Sequence, residues 1–376
     1  MAHPLRKGGF TIVKSAVLGL SAACAALSLA APVARAQSAC AADIDGSGSV
    51  CGTDLAALLT AWGPCKGCAA DLDDSGAVDA RDLVIMLEGL GAICGPMDWA
   101  TVLEQAPDPA IVTSASLRQA IVATGYPWRV RDNATQIEMV LIPPGTFAMG
   151  CSPSSQFGCV SGESPVHAVF FSCAFYMGRF EVTQLQWAAR MGYNPSFFQE
   201  ETLQVTDATS PDRPVEGVSW NMAQDFLKGT GMRLPSEAEW EYAYRAGTTT
   251  AFHGWPAQPN GTNDDSQVHA IGWIAATICS PGGMCQTRPV GGKAPNGFGL
   301  HDMAGNVSEW VGDWWSETYY APSPMMSPTG PESGSFRVFR GGSFAWHTDQ
   351  SRASRRLAGT PTSASSQRGF RVVRNP

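Results

Sequence analysis

The stretch from Pro295 to Trp315, PNGFGLHDMAGNVSEWVGDWW, most restricts what this chain can become. Gly, Asn and Asp are set between large aromatics, so neither helical nor strand periodicity runs through it. The expected state is an ordered loop pinned by Trp310, Trp314 and Trp315. An ordered loop of this length needs something to organise it. Asp302 and Glu309 lie seven residues apart, and Gly305, Asn306 and Val307 between them can turn backbone carbonyls inward. Carboxylates and carbonyls together form the hard-oxygen set that Ca2+ prefers. The alternative is a Gly-Asn turn with solvated carboxylates.

A second organising pattern lies upstream. Cys40-Ala-Ala-Asp-Ile-Asp-Gly-Ser-Gly-Ser-Val is repeated 28 residues later as Cys68-Ala-Ala-Asp-Leu-Asp-Asp-Ser-Gly-Ala-Val. Each copy runs into an apolar pattern of helical spacing, Leu55, Leu58, Leu59 and Trp62 before Gly63, then Leu83, Met86, Leu87 and Leu90 before Gly91. Two such helices are expected to cover each other's faces. The loops read as calcium loops. Asp43, Asp45 and Ser47 take the first, third and fifth positions, Gly48 makes the sharp turn, Ser49 offers a carbonyl and Asp54 closes the set. In the second copy the same roles fall to Asp71, Asp73, Ser75, Gly76, the carbonyl of Ala77, Asp79 and Asp82. Asp-rich turns that merely cap helices are the alternative reading.

Residues 1–36 have the grammar of an export signal. Arg6, Lys7 and Lys14 precede the apolar run Ala16 to Ala31, and Ala34-Arg35-Ala36 is a small-x-small cleavage site, so the mature chain is expected to begin near Gln37 and to be secreted or displayed at the cell surface. A lipid anchor at Cys24 is an alternative. No later run is apolar enough over sufficient length to span a bilayer. Export gives the cysteines a purpose. Ten remain of 11 once Cys24 is removed, in a compartment where disulfides persist. Cys151 with Cys159, and Cys279 with Cys285, flank short loops and are expected as local staples. Cys40, Cys51, Cys65, Cys68 and Cys94 cluster upstream, and Cys173 lacks a neighbour, so either one bridge joins the two regions or a thiol remains in each.

Residues 40–94 therefore form the repeat module. Residues 95–127, with Pro107, Pro109 and Pro127 around the helical segment Ser114 to Thr124, form a linker, and the main domain occupies 128–376. In the main domain, strands are expected at Glu138 to Ile142, at Thr146 to Met149 and across His167 to Tyr176. The first two are expected to form a hairpin-like entry. Helix starts are marked by Thr183 with Gln186, by Ser219, and by Ser236 with Glu239. The 40 Gly, 26 Pro and 12 Trp suit a compact, loop-rich, aromatic-anchored domain. A net charge of -8 excludes general attraction to nucleic acid. The histidines show no paired spacing of metal ligands.

Read in order, MVLIPPGTFAMG, GRFEVTQLQW, RPVEGVSWNMA, MRLPSEAEWEYAYRAG, PNGFGLHDMAGNVSEWVGDWW, FRGGSFAW and GFRVV resemble the formylglycine-generating enzyme, or sulfatase-modifying factor, superfamily. The resemblance implies an α+β, C-type-lectin-like fold with adjacent first and last strands and bound calcium, here through the side chains of Asp302 and Glu309 and the carbonyls of Gly305 and Val307. The repeats resemble a dockerin, a small all-α module that folds on calcium. This implies two ions in the repeats and at least one in the main domain. It also raises a cohesin-like partner, although the positions used for that contact hold Gly52-Thr53 and Ala80-Arg81.

The oxidase members of the superfamily bind Cu(I) through two cysteines that follow the Gly-Gly-Ser block. Here that serine is Ser343, and the two positions hold Trp346 and Ser351, neither of which can supply the soft thiolate that Cu(I) requires. The family's aromatic before Glu-Trp is replaced by Ser308, and the iron-binding H-x3-H-x-E run of another branch is lacking. Copper is therefore not expected, and a catalytic residue cannot be assigned. Other branches bind ligands through a variable C-terminal segment. Trp346 to Gln367 is expected as a solvent-facing loop whose Arg352, Arg355 and Arg356, with Arg368 at its end, either bind an anionic glycan or peptide or pair with the domain's own carboxylates. Three functions follow: a non-oxidase binding or surface-attachment protein, a sulfatase-modifying enzyme with an altered site, or a structural partner in an extracellular assembly.

Overall fold

The structure, a computed structural model, describes residues 40–95, 97–199, 210–278 and 285–376. The expected export signal, Cys24 and Cys279 lie outside the described residues.

The repeat region contains α1 (Gly52–Thr60), β1 (Gly63–Pro64), β2 (Ala77–Val78) and α2 (Ala80–Gly89). The caps come from the repeat itself. Cys51 and Asp79 are the N-cap residues, and the carboxylates of Asp54 and Asp82 each accept the cap's own amide at 2.8 Å. β1 and β2 pair antiparallel and join the two copies. Leu58 and Met86 are fully buried, but Leu59, Trp62, Leu87 and Leu90 are 42 to 51% exposed, so the helices cover only part of each other's apolar stripe. The rest of this module leans on the main domain: Gly52 lies so close to Ser172 that a β-carbon there would come within 2.7 Å of the serine's side chain.

Residues 95–127 hold more structure than a linker. Besides α3 (Ala115–Ala123) they supply β3 (Ala100–Glu104), which pairs antiparallel with β4 (Arg129–Asp132). A five-stranded antiparallel sheet then runs in the order β15 (Val373–Arg374), β8 (Phe175–Gly178), β5 (Glu138–Ile142), β4, β3. The last strand shares this sheet with the first ones but pairs with β8, not with either of them. β5 is buried over four of its five residues because both of its edges are paired. β6 (Gly145–Met149) does not fold back on β5. It pairs with β7 (His167–Phe171), since Pro143-Pro144 carries the chain away from the first sheet. The single strand expected from His167 to Tyr176 is two, broken at Ser172 to Ala174, where Cys173 is bonded to Cys51.

Three helices carry the predicted caps: α4 (Gln184–Met191) behind the Thr183–Gln186 box, α5 (Trp220–Leu227) behind Ser219, and α6 (Glu237–Arg245) behind the Ser236–Glu239 box. β9 (Gly272–Trp273), which α7 (Ala275–Ile278) follows, pairs in parallel with β10 (Ala304–Gly305). A four-stranded sheet completes the domain in the order β13 (Leu357–Gly359), β12 (Arg337–Arg340), β11 (Ser308–Trp314), β14 (Arg368–Gly369). Trp128, Trp187, Trp240 and Trp310 fill the core.

α6 is buried along its whole length despite three glutamates and an arginine. Each charge has a partner: Glu237 with Arg356, Glu239 with Arg233, and Glu241 with both Arg245 and Arg340. This helix holds Trp240 against the loop at Asp302 to Glu309. In that loop Asp302 and Asn306 adopt φ of 56°, and Gly305 has φ 86° with the Trp273 carbonyl 2.1 Å from where a β-carbon would stand, so only glycine fits there.

Candidate functional site

The two Asp loops have the same geometry 28 residues apart. In the first, the Ser47 amide donates to Asp43 Oδ1 and Asp45 Oδ1 at 2.9 Å, Gly48 N–H to Asp43 Oδ2 at 3.0 Å, and Asp45 N–H to Asp54 Oδ1 at 3.1 Å. In the second, Ser75 donates to Asp71 at 2.9 Å and Asp73 at 3.1 Å, Gly76 to Asp71 at 2.8 Å, and Leu72 to Asp82 at 2.6 Å. Ser47 Oγ and Ser75 Oγ donate to the carbonyls of Ser49 and Ala77, both at 3.0 Å.

These contacts turn carboxylate oxygens toward one point. Oxygens of Asp43, Asp45 and Asp54 all lie within 4.8 Å of one another, as do those of Asp71, Asp73 and Asp82. Burial pushes the Asp54 carboxyl above its ordinary range, aided by the nearby charges of Asp45 and Asp43. For Asp82, burial acts the same way but loses to the amides of Asp79, Leu72 and Asp73, which hold the carboxyl low. Three carboxylates this close could hold a cation, and the donor set suits a hard one. Asp79 stands apart: its carboxylate caps α2, accepting the Arg81 amide at 2.7 Å, and it is not in the convergent group.

The loop from Asp302 to Glu309 differs from the expectation. Both oxygens of Glu309 are taken by Arg371, which donates Nη2–H and Nε–H at 2.6 Å, and Trp240 Nε1–H adds a third bond at 2.7 Å. Glu309 is thus the counter-ion of a buried guanidinium. Asp302 Oδ2 accepts Gly291 N–H at 2.6 Å, while its Oδ1 is buried without a partner. A third carboxylate, Glu181, was not foreseen. It accepts Asn306 Nδ2–H at 2.7 Å and Val307 N–H at 3.0 Å. Burial, with the charges of Asp302 and Glu309 beside it, drives Glu181 well above the ordinary carboxyl range, and burial pushes Asp302 up to about 6. Three acids thus face one guanidinium, and Asp302 Oδ1 is the oxygen among them left without a partner. Arg371 lies in GFRVV and Glu181 in GRFEVTQLQW, so both stand in blocks that the sequence already marked.

The positions that correspond to the family's copper pair are packed. Ser351 is fully buried, its carbonyl accepts Tyr244 Oη–H at 2.8 Å, and its own Oγ has no partner. Trp346 packs near Phe339 with ring centroids 6.2 Å apart, and Ser343 Oγ–H donates to Gln367 Oε1 at 3.3 Å. Ser308, in the place of the aromatic, donates to the Gly342 carbonyl at 2.9 Å.

The segment Trp346 to Gln367 faces solvent only in part, at His347 and at Thr360, Thr362 and Ala364. It includes β13, and Ser351 to Ser354 are buried. Its arginines serve the fold. Arg352 makes two bonds to Glu163 at 2.8 and 2.9 Å, and Arg356 makes two to Glu237 at 2.7 Å. Arg355 donates to Gln350 Oε1 at 3.1 Å and lies 3.8 Å from Glu163. Their carboxylate partners come from Glu163 and Glu237, far away in sequence, so spacing alone could not pair them.

Cys151–Cys159 is bridged as expected, and Cys51–Cys173 joins the repeats to the main domain. Cys65–Cys68 forms a short bridge, and Cys285 is also disulfide-bonded. No helix among the described residues is long and apolar enough to cross a membrane.

Known proteins extend this picture. The formylglycine-generating enzyme of Thermomonospora curvata is 33% identical over 287 residues, covering 63% of this chain and 93% of its own length. That of Streptomyces coelicolor is 42% identical over 280 residues, covering 62% and 88%. Among solved structures, PvdO from Pseudomonas aeruginosa superposes with a TM-score of 0.54 at 27% identity, covering 66% of this chain and 98% of PvdO. Treponema denticola variable protein 1 superposes with a TM-score of 0.53 at 29% identity, covering 64% and 95%. The profile of the sulfatase-modifying factor enzyme 1-like domain matches residues 127–376, the part of the chain that holds the four-stranded sheet and all but β3 of the five-stranded one, and by that match the chain belongs to this family.

Proposed function

We propose that this is an exported, calcium-stabilised protein whose sulfatase-modifying-factor domain serves binding or surface attachment and not thiol oxidation. The observation that carries the reading is the replacement of the copper cysteines. Trp346 and Ser351 offer no thiolate, and the serine is locked in the core by its carbonyl bond to Tyr244. Two calcium ions are assigned to the repeats, at Asp43, Asp45 and Asp54 and at Asp71, Asp73 and Asp82, with a further one toward Asp302. In the repeats the ion would offset the repulsion of three converging carboxylates and so stabilise the folded state. The partner class is an extracellular glycan or protein; a cohesin-like partner for the repeats is the form that the assembly reading takes.

The second reading, a sulfatase-modifying enzyme with altered chemistry, is favoured by the identity to formylglycine-generating enzymes. One experiment separates the two: anaerobic Cu(I) titration of the mature chain with calcium present, then O2 uptake and peptide mass with a cysteine peptide derived from a sulfatase. No stoichiometric copper and no mass change are expected. Tight copper with conversion of the peptide cysteine would overturn the binding reading.

A further inference from the structure

We propose that Cys40 and Cys94 close into a fifth disulfide that seals the two ends of the repeat module. They are the cysteines left as thiols among the described residues, the others being bridged. Both are partly buried, and the fold brings them together from the first and last residues of the module. Cys40 Sγ lies 3.6 Å from the carbonyl of Ile93, the residue next to Cys94. An antiparallel bridge between Ser49 and Ile93 and a bond from Cys94 N–H to the Gly48 carbonyl, at 2.7 Å, fix the backbone at Cys94. Burial pushes the Cys94 thiol up to about 12, with a hydrogen bond from the Cys40 side chain as the next cause.

The chemistry is thiol–disulfide exchange with a small-molecule or protein disulfide as oxidant. The thiolate of one cysteine attacks the oxidant's disulfide and forms a mixed disulfide, releasing one thiol of the oxidant. The sulfur of the other cysteine then displaces the second thiol and forms the Cys40–Cys94 bond. Two protons leave the cysteines, and two electrons pass to the oxidant's disulfide, which is reduced to two thiols. Gly48, the turn of the first Asp loop, is held by Cys94 N–H on one side and by Tyr126 Oη–H at 2.8 Å on the other. The new bond therefore ties the start of the first repeat covalently to the end of the second, beside that turn. The pairing rests on this geometry and is independent of whether the chain is exported or binds calcium.

The test uses the full folded chain, equilibrated in an oxidising glutathione buffer, quenched with N-ethylmaleimide and digested without reduction. The expected result is complete loss of labelling at Cys40 and Cys94 and a linked peptide pair containing both, with Cys151–Cys159 as the internal control. Labelling of both cysteines while Cys151–Cys159 stays linked would overturn the proposal. In C40S, labelling should appear at Cys94 with the other bridges unchanged; capture of Cys94 by Cys65 or Cys68 would also overturn it.

Discussion

Arg356→Met tests whether the C-terminal arginines are structural or ligand-binding groups. The residue is 3% exposed, and its guanidinium makes two 2.7 Å bonds to Glu237 and donates to the carbonyls of Gly162 at 2.8 Å and Ser316 at 3.1 Å. It also stands over Trp315 and Tyr320, 4.5 and 4.2 Å from the ring centroids. Methionine keeps the apolar stem but leaves Glu237 buried, with Asp313 close by and Arg340 as its nearest cation at 3.7 Å. Removing one partner of a buried ion pair costs about 3–5 kcal/mol. For a domain of this size that lowers Tm by on the order of 10 °C. Adding Glu237→Gln should recover part of the loss, a coupling of roughly 0.5–3 kcal/mol.

The pH dependence has a definite sign. Burial opposes ionisation of Glu237, but the Arg356 and Arg340 charges win and hold its carboxyl below the ordinary range. The pair's stability is present above the unfolded value of about 4.3 and is lost as pH falls through the lower folded value, so the gap between parent and variant should narrow in acid. Urea unfolding at pH 7 and pH 3.5 reads both effects. A variant within about 1 kcal/mol of the parent at pH 7 would refute the structural assignment, because that is the range of an exposed pair.

Other perturbations follow from the same geometry. Glu216 is buried with one oxygen unpartnered, and burial pushes its carboxyl up to about 7. Its contribution is full below about pH 4.3 and is lost as pH rises through 7, so Glu216→Gln should flatten that slope and stabilise at pH 8 by up to about 3 kcal/mol; an unchanged urea profile would count against the shift. Breaking Cys51–Cys173 by Cys173→Ala should cost more than Cys159→Ala. The spans are 122 and 8 residues, and chain entropy gives about 5 against about 2.5 kcal/mol; the reverse order in calorimetry would show that the long bridge is not what holds the repeats. Calcium should raise the unfolding temperature of the parent, and Asp54→Asn with Asp82→Asn should reduce that rise; an equal calcium response in the double variant would remove the metal from these loops.

Much was legible in the chain because the information was local. The 28-residue repeat marked the two Asp loops, and the boxes at Thr183 and Ser236 marked helix starts, since caps and tight turns are made by residues a few positions apart. Seven ordered blocks carried the family and its fold. What the sequence left open was partnership across the fold. Asp302 and Glu309 look equivalent in the loop, yet Arg371 neutralises one and leaves an oxygen of the other unpartnered. Arg352 and Arg356 look available, yet Glu163 and Glu237 meet them across 189 and 119 residues. A charge buried in a core persists only with its counter-charge in hydrogen-bond contact. Composition and spacing show that the charges exist, but only the tertiary structure decides which ones meet and which remain to hold an ion or a ligand.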